Sequence, residues 1–136
     1  LLGAGSPELT WLRTDGSPGD AELIASAIAQ LTPHWLRLAD AAATEDEAGA
    51  LAALGECRVL CAHREGAFGA SRWNDHALRS VAAARNIGRD LGSWFPGRPL
   101  LAVENDYQLG VFNGDTGVVM PSPTGTVGVF EPAAAR

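Results

Sequence analysis

The chain has 136 residues and a formal net charge of −6, enough length for one domain with its own core. All ten basic residues are arginine. A Gly-Lys-Ser/Thr phosphate loop is therefore excluded, because its lysine must reach the β/γ-phosphates. The apolar runs are too short to span a bilayer, no signal-peptide pattern is visible, and the acidic total argues against a nucleic-acid binder.

The elements follow in chain order. Residues 1–7 are small and Gly-rich, and Glu8–Arg13 can form a short strand. Ser17-Pro18 reads as N-cap and first helical position. Leu23, Ile24, Ala27, Ile28 and Leu31 then recur at helical spacing to about Thr32. Pro33 ends that helix or starts a new turn, and Trp35, Leu36 and Leu38 carry an apolar face on to about Ala43. Thr44-Glu45-Asp46-Glu47 has the spacing of a capping box, with Thr44 as cap, for a short helix stopped by Gly55. Cys57–His63 predicts a strand with apolar residues on both faces, as in a buried parallel sheet. Glu65–Ala70 is a glycine-bearing loop. Ser71 caps a helix to about Asn86, with Trp73, Ala77, Val81 and Ala84 on one face and Gly88 as an end signal.

Residues 89–98 form a loop carrying Trp94, Phe95 and Pro96, followed by a β run, Pro99–Val103. Asn105 and Asp106 make a polar corner. Asn113-Gly114 lies between the apolar runs Leu109–Phe112 and Thr116–Met120, which predicts a tight hairpin with both turn residues at positive φ. Thr126–Phe130 is a last short strand, and Pro132–Arg136 reads as a loose tail. There is no internal repeat. Alternating strands and helices argue for an α/β fold with a parallel sheet, and the Gly-rich end argues for a small barrel beginning.

Charge is uneven along the chain. Residues 1–57 sum to −7, residues 58–98 to +4 and residues 99–136 to −3. The basic middle has a plain explanation as a solvated helix face. Cys57 and Cys61, if on one strand, stand ~13 Å apart, beyond the about 7 Å a disulfide allows. Two unpaired thiols suit a reducing, cytoplasmic compartment. Cys57, Cys61 and His63 share one strand face, but a zinc site wants a closer Cys pair and a fourth ligand, so no metal and no catalytic residue is assigned. His34 and His76 have no partner that the sequence reveals.

Two segments resemble a known family. One is Asn105–Met120 after its strand, with Leu-Gly-Val-Phe-Asn-Gly-Asp-Thr-Gly at its centre. The other is Arg58-Val-Leu-Cys-Ala-His-Arg-Glu-Gly-Ala-Phe-Gly-Ala70, followed by Trp73-Asn74. In this order and spacing they are similar to RecD, the alpha subunit of exodeoxyribonuclease V, over about residues 56–120. RecD proteins are ATP-driven 5′-to-3′ DNA helicases of superfamily 1B, acting with nuclease subunits in double-strand break repair. The resemblance implies that residues 1–103 are part of a second RecA-like domain, a partial parallel sheet with flanking helices. It makes residues 104–131 the start of an inserted small barrel of Src-homology-3 type and residues 132–136 a tail. The start at Leu1, and Met120 as sole methionine, then read as a segment of a longer product.

The resemblance also assigns roles. Arg64, after the predicted strand, would contact the backbone of single-stranded DNA, a task that suits a bidentate guanidinium, and Gly66 would let the main chain approach. Asn105 would line the DNA path or fix the barrel, and Tyr107 would stack on a base. Asn113 and Gly114 are structural turn residues. Against these stand an arginine paired with Glu65, an Asx turn at Asp106 and a core position for Trp73. No cofactor is expected in this chain. ATP and Mg²⁺ would belong to the full-length parent, with single-stranded DNA and the other exodeoxyribonuclease V subunits as partners. The competing reading is a non-enzymatic α/β module that docks a protein, supported by the acidic total and by Trp94-Phe95-Pro96.

Overall fold

The computed structural model describes residues 19–86 and 94–131. The expected strand at 8–13, the cap at Ser17-Pro18, the end signal at Gly88 and the tail at 132–136 lie outside them. Three helices come first: α1 (Gly19–Ala43), α2 (Glu47–Glu56) and α3 (Ala70–Ala84). Three strands follow: β1 (Pro99–Leu101), β2 (Thr116–Ser122) and β3 (Gly125–Phe130). The sheet order is β1-β2-β3 and both pairings are antiparallel. The fold is therefore mixed α and β, but the described residues contain no parallel sheet.

α1 runs through Pro33 instead of breaking there. Proline removes one backbone donor from the ladder. Beside it, the Thr32 hydroxyl donates back to the Ile28 carbonyl at 2.7 Å, a local side-chain bond inside the helix. The apolar face continues past Pro33, where Leu38 and Ala42 pack against α2 and the sheet. The chain then reverses through Glu45, a non-glycine residue at φ 59°.

Thr44 is not the cap of α2. Its hydroxyl donates backward to the carbonyls of Asp40 and Ala41, closing α1. Asp46 caps α2, its Oδ1 accepting from the Gly49 N–H at 2.9 Å. Asp46→Ala is expected to destabilise the chain by about 1 kcal/mol, with Asp46→Asn close to neutral. Urea denaturation of the two variants checks this.

The expected strand at Cys57–His63 does not form. The segment leaves α2 in an extended conformation at Cys57 and stays unpaired. Leu60 is 92% exposed there, so its apolar side chains are not in a sheet interior. Extended backbone becomes a strand only when a neighbour takes its hydrogen bonds, and the described residues supply none. Its tie to the sheet is Arg58, which donates to Thr116 Oγ1 at 3.1 Å. Cys57 and Cys61 are free, half-buried thiols.

The tight hairpin also moves. Asn113-Gly114 does not join two paired strands. Phe112–Asp115 is a turn closed by Asp115 N–H to Phe112 O at 2.9 Å, and only Gly114 takes positive φ, at 95°. Leu109–Phe112 is a turn and an isolated bridge, Asp106 with Val111, at the tip of the long β1–β2 connection. The two-residue hairpin instead turns at Pro123-Thr124, where Ser122 pairs with Gly125.

The core lies between the helical layer and one face of β2. Leu38 and Ala42 of α1 and Ala50 of α2 meet Val118 and Met120, with Leu51, Leu54 and Val129 at the margin. β2 is covered on both faces, since Val118 and Val119 are each fully buried. Below it, Gly97 N–H donates to Val119 O at 2.8 Å, and its φ is +88°. A Cβ on Gly97 would come within 2.9 Å of the Ala39 Cα, so glycine permits this close approach of α1. Two ion pairs clamp the helices: Arg37 to Glu56 at 2.6 Å, and Arg85 to Asp40. The Arg37 guanidinium holds the exposed Glu56 carboxyl below its usual range.

Candidate nucleic-acid interface

The arginine-glycine loop between Cys61 and α3 is built by its own backbone. Ala70 N–H donates to His63 O at 3.1 Å, Ser71 N–H to Arg64 O at 2.9 Å, and Gly69 N–H to Gly66 O at 3.1 Å. Gly69, not Ser71, is the N-cap of α3, and it offers no side-chain cap. The Ser71 hydroxyl instead donates to Glu65 Oε1 at 2.8 Å. Gly66 stands at φ +101° with open space where a Cβ would be. The first amides of α3 are thus already bonded, and the loop presents a side chain rather than a helix end.

That side chain is Arg64. It is 91% exposed, and its Nε lies 3.8 Å from Glu65 Oε1, too far for a hydrogen bond. A contact of that kind between exposed groups contributes little, so the guanidinium fork is available to an anion.

The Asn105 corner is a second, separate structure on the β1–β2 connection. Asn105 Oδ1 accepts from Asn113 N–H at 2.8 Å, and its Nδ2 donates to the Tyr107 hydroxyl at 3.3 Å. Both ends of the amide are engaged within the corner. Asp106 makes the expected Asx turn, its Oδ1 accepting from Gln108 N–H at 2.9 Å and Leu109 N–H at 3.0 Å. Asp115 Oδ2 accepts from Phe112 N–H at 2.9 Å. Tyr107 is 79% exposed and meets Phe112 edge to face, with centroids 6.0 Å apart. Gly114 donates its N–H to Ala102 O, closing the base of the connection.

The expectation that Arg64 and Asn105 share one sheet edge depended on the Cys57–His63 strand. Without that strand, no hydrogen bond or ion pair joins the two loops among the described residues.

Arg72 and His76 of α3 face Ile24 and Ile28 of α1 across an open groove of about 540 Å³, and Gly66 and Ala67 form its rim. Arg72, His76 and Arg79 follow helical spacing, i, i+4, i+7, and this was the available signal. Trp73, half-buried, sits edge-on to His76 at 5.8 Å. Burial, then the Arg79 and Arg72 guanidiniums, hold the His76 imidazole below its ordinary value, so it is neutral near pH 7.

No protein-family model matches the chain. It is similar to curated proteins named RecBCD enzyme subunit RecD. The RecBCD enzyme subunit RecD of Mycolicibacterium smegmatis is 40% identical over 126 residues, 92% of this chain and 21% of the relative. The subunit of the same name from Mycobacterium tuberculosis H37Rv is 48% identical over 109 residues, 78% of this chain and 18% of the relative. The chain is thus a homologue of RecD, in agreement with the two segments that resemble that family. It spans about a fifth of the length of the curated relatives it matches.

Proposed function

We propose that the chain is part of the RecD subunit of a RecBCD-type enzyme, an ATP-driven 5′-to-3′ DNA helicase working in double-strand break repair in the cytoplasm. Its contribution is a portion of the single-stranded DNA path. The reading is carried by one observation: the RecD-like arginine, Arg64, projects from a backbone-pinned glycine loop with its side chain exposed and met only loosely by Glu65, at 3.8 Å. Tyr107 is a stacking platform that Asn105 and Phe112 hold in place. Residues 104–131 are the start of a small barrel joined to the helicase domain. ATP and Mg²⁺ serve the whole protein. The lysine-free chain cannot form the phosphate loop that would hold them, and no step here depends on them.

The test is binding of a fluorescent oligo-dT to the chain and to Arg64→Ala across a salt series. Loss of one phosphate contact lowers affinity at every salt and reduces the magnitude of the log–log slope by about 0.7. Identical curves for the two proteins would refute the assignment of Arg64.

A second reading is a docking surface for other subunits. Leu60 at 92%, Leu109 at 77% and Val103 at 72% exposure favour it. Binding through such a face changes little with salt, which separates the two readings.

A further inference from the structure

The groove between α1 and α3 has an unusual division of chemistry. One wall is an apolar stripe of α1, Ala21, Ile24, Ala25 and Ile28, at positions i, i+3, i+4 and i+7. Such a stripe ordinarily packs into a core, but here it faces open space of about 540 Å³, within the range of ligand clefts. The other wall carries Arg72 and His76. Arg72 makes no ion pair among the described residues. No carboxylate is among the described residues that line the groove. Its rim, Gly66-Ala67, belongs to the same loop as Arg64.

We propose that this groove seats one nucleotide of a single-stranded nucleic acid, with its phosphate on Arg72 and its base between the Ile24–Ile28 wall and the His76 ring. The proposal rests on the DNA-path reading above and adds a second phosphate contact and a base subsite to it. Charge complementarity selects the occupant. A nucleotide presents an anion on one side of the sugar and a flat, largely apolar base on the other, and the two walls match that division. A wholly apolar peptide would leave the Arg72 guanidinium buried and unpaired, which is costly. The neutral His76 ring can lie against a base without adding a third positive charge between Arg72 and Arg79.

The experiment measures oligo-dT affinity by fluorescence anisotropy for the chain, Arg64→Ala, Arg72→Ala and Ile28→Glu, with melting temperatures for each. Arg72→Ala is expected to weaken binding roughly fourfold at 0.15 M salt and to reduce the salt slope by about 0.7, as loss of one phosphate contact requires. Ile28→Glu places a carboxylate in the groove and is expected to weaken binding roughly tenfold. If Arg64→Ala weakens binding while Arg72→Ala and Ile28→Glu leave it unchanged, the path passes elsewhere and the groove proposal fails alone. If Ile28→Glu lowers only the melting temperature, the groove is a packing surface and the proposal fails. If the unsubstituted chain does not bind oligo-dT, the DNA-path reading and the groove proposal fall together.

Discussion

Leu38→Ala is expected to lower the unfolding free energy by about 2–5 kcal/mol, the range for leucine truncation in a rigid core. Leu38 is 6% exposed and sits where α1 and α2 meet β2. Its buried neighbours Ala42 and Ala50 are small, so the core depends on few large side chains: Leu38, Val118 and Met120. Collapse around the lost isobutyl group is restricted. β2 is bonded on both edges, to β1 and to β3, and Gly97 fixes the next stretch of α1 against the same sheet. A cavity that cannot close costs more than the transfer of the side chain alone. Domains are typically stable by only about 5–15 kcal/mol, so the variant should lose a large part of its cooperative transition. Urea denaturation followed by circular dichroism measures the loss. Leu60→Ala, at 92% exposure, is the control and should change stability by less than about 0.5 kcal/mol. Equal midpoints for the two variants would remove Leu38 from the core.

Gly69→Ala is the second large effect, and it acts on the site. An added Cβ would stand 2.5 Å from the Glu65 carbonyl carbon and oxygen and 2.7 Å from the Arg64 carbonyl oxygen. All three are backbone atoms, so no side-chain rotation relieves the overlap. The loop must lift away from α3, which breaks the Ser71-to-Arg64 and Ala70-to-His63 bonds that aim Arg64. The expected cost is about 1–3 kcal/mol of stability. Oligo-dT binding should fall further than in Arg64→Ala, because Arg64 and the Gly66-Ala67 rim are displaced together. Gly66→Ala meets no neighbour and is strained only by its positive φ. Its binding should therefore lie between that of Gly69→Ala and that of the unsubstituted chain. Retention of full affinity in Gly69→Ala would show that the loop geometry is not what presents Arg64.

The three helices were legible because their signals are local. Leu23, Ile24, Ala27 and Ile28 repeat at helical spacing, and so do Trp73, Ala77 and Val81. β2 and β3 were legible in the runs Thr116–Met120 and Thr126–Phe130. The family was legible in the Arg-Glu-Gly loop and in the Leu109–Gly117 segment, whose residue types are unusual enough in combination to carry it. The Asx turn at Asp106 followed from local chemistry too.

What the tertiary structure decided are matters of who bonds to whom. α1 continues through Pro33 into the half that carries Leu38 and Ala42 into the core, a packing partner absent from the residues around the proline. Cys57–His63 has the composition of a buried strand, but a strand is defined by a neighbour, and the described residues give it none. Asn113-Gly114 has the sequence of a two-residue hairpin. The turn forms, but Asn105 Oδ1 and Asp115 Oδ2 take the N–H groups of Asn113 and Phe112 that a hairpin ladder would have used. The groove of Ile24, Ile28, Arg72 and His76 joins helices far apart in the chain, so periodicity fixed each wall while only the packing of α1 beside α3 set them face to face.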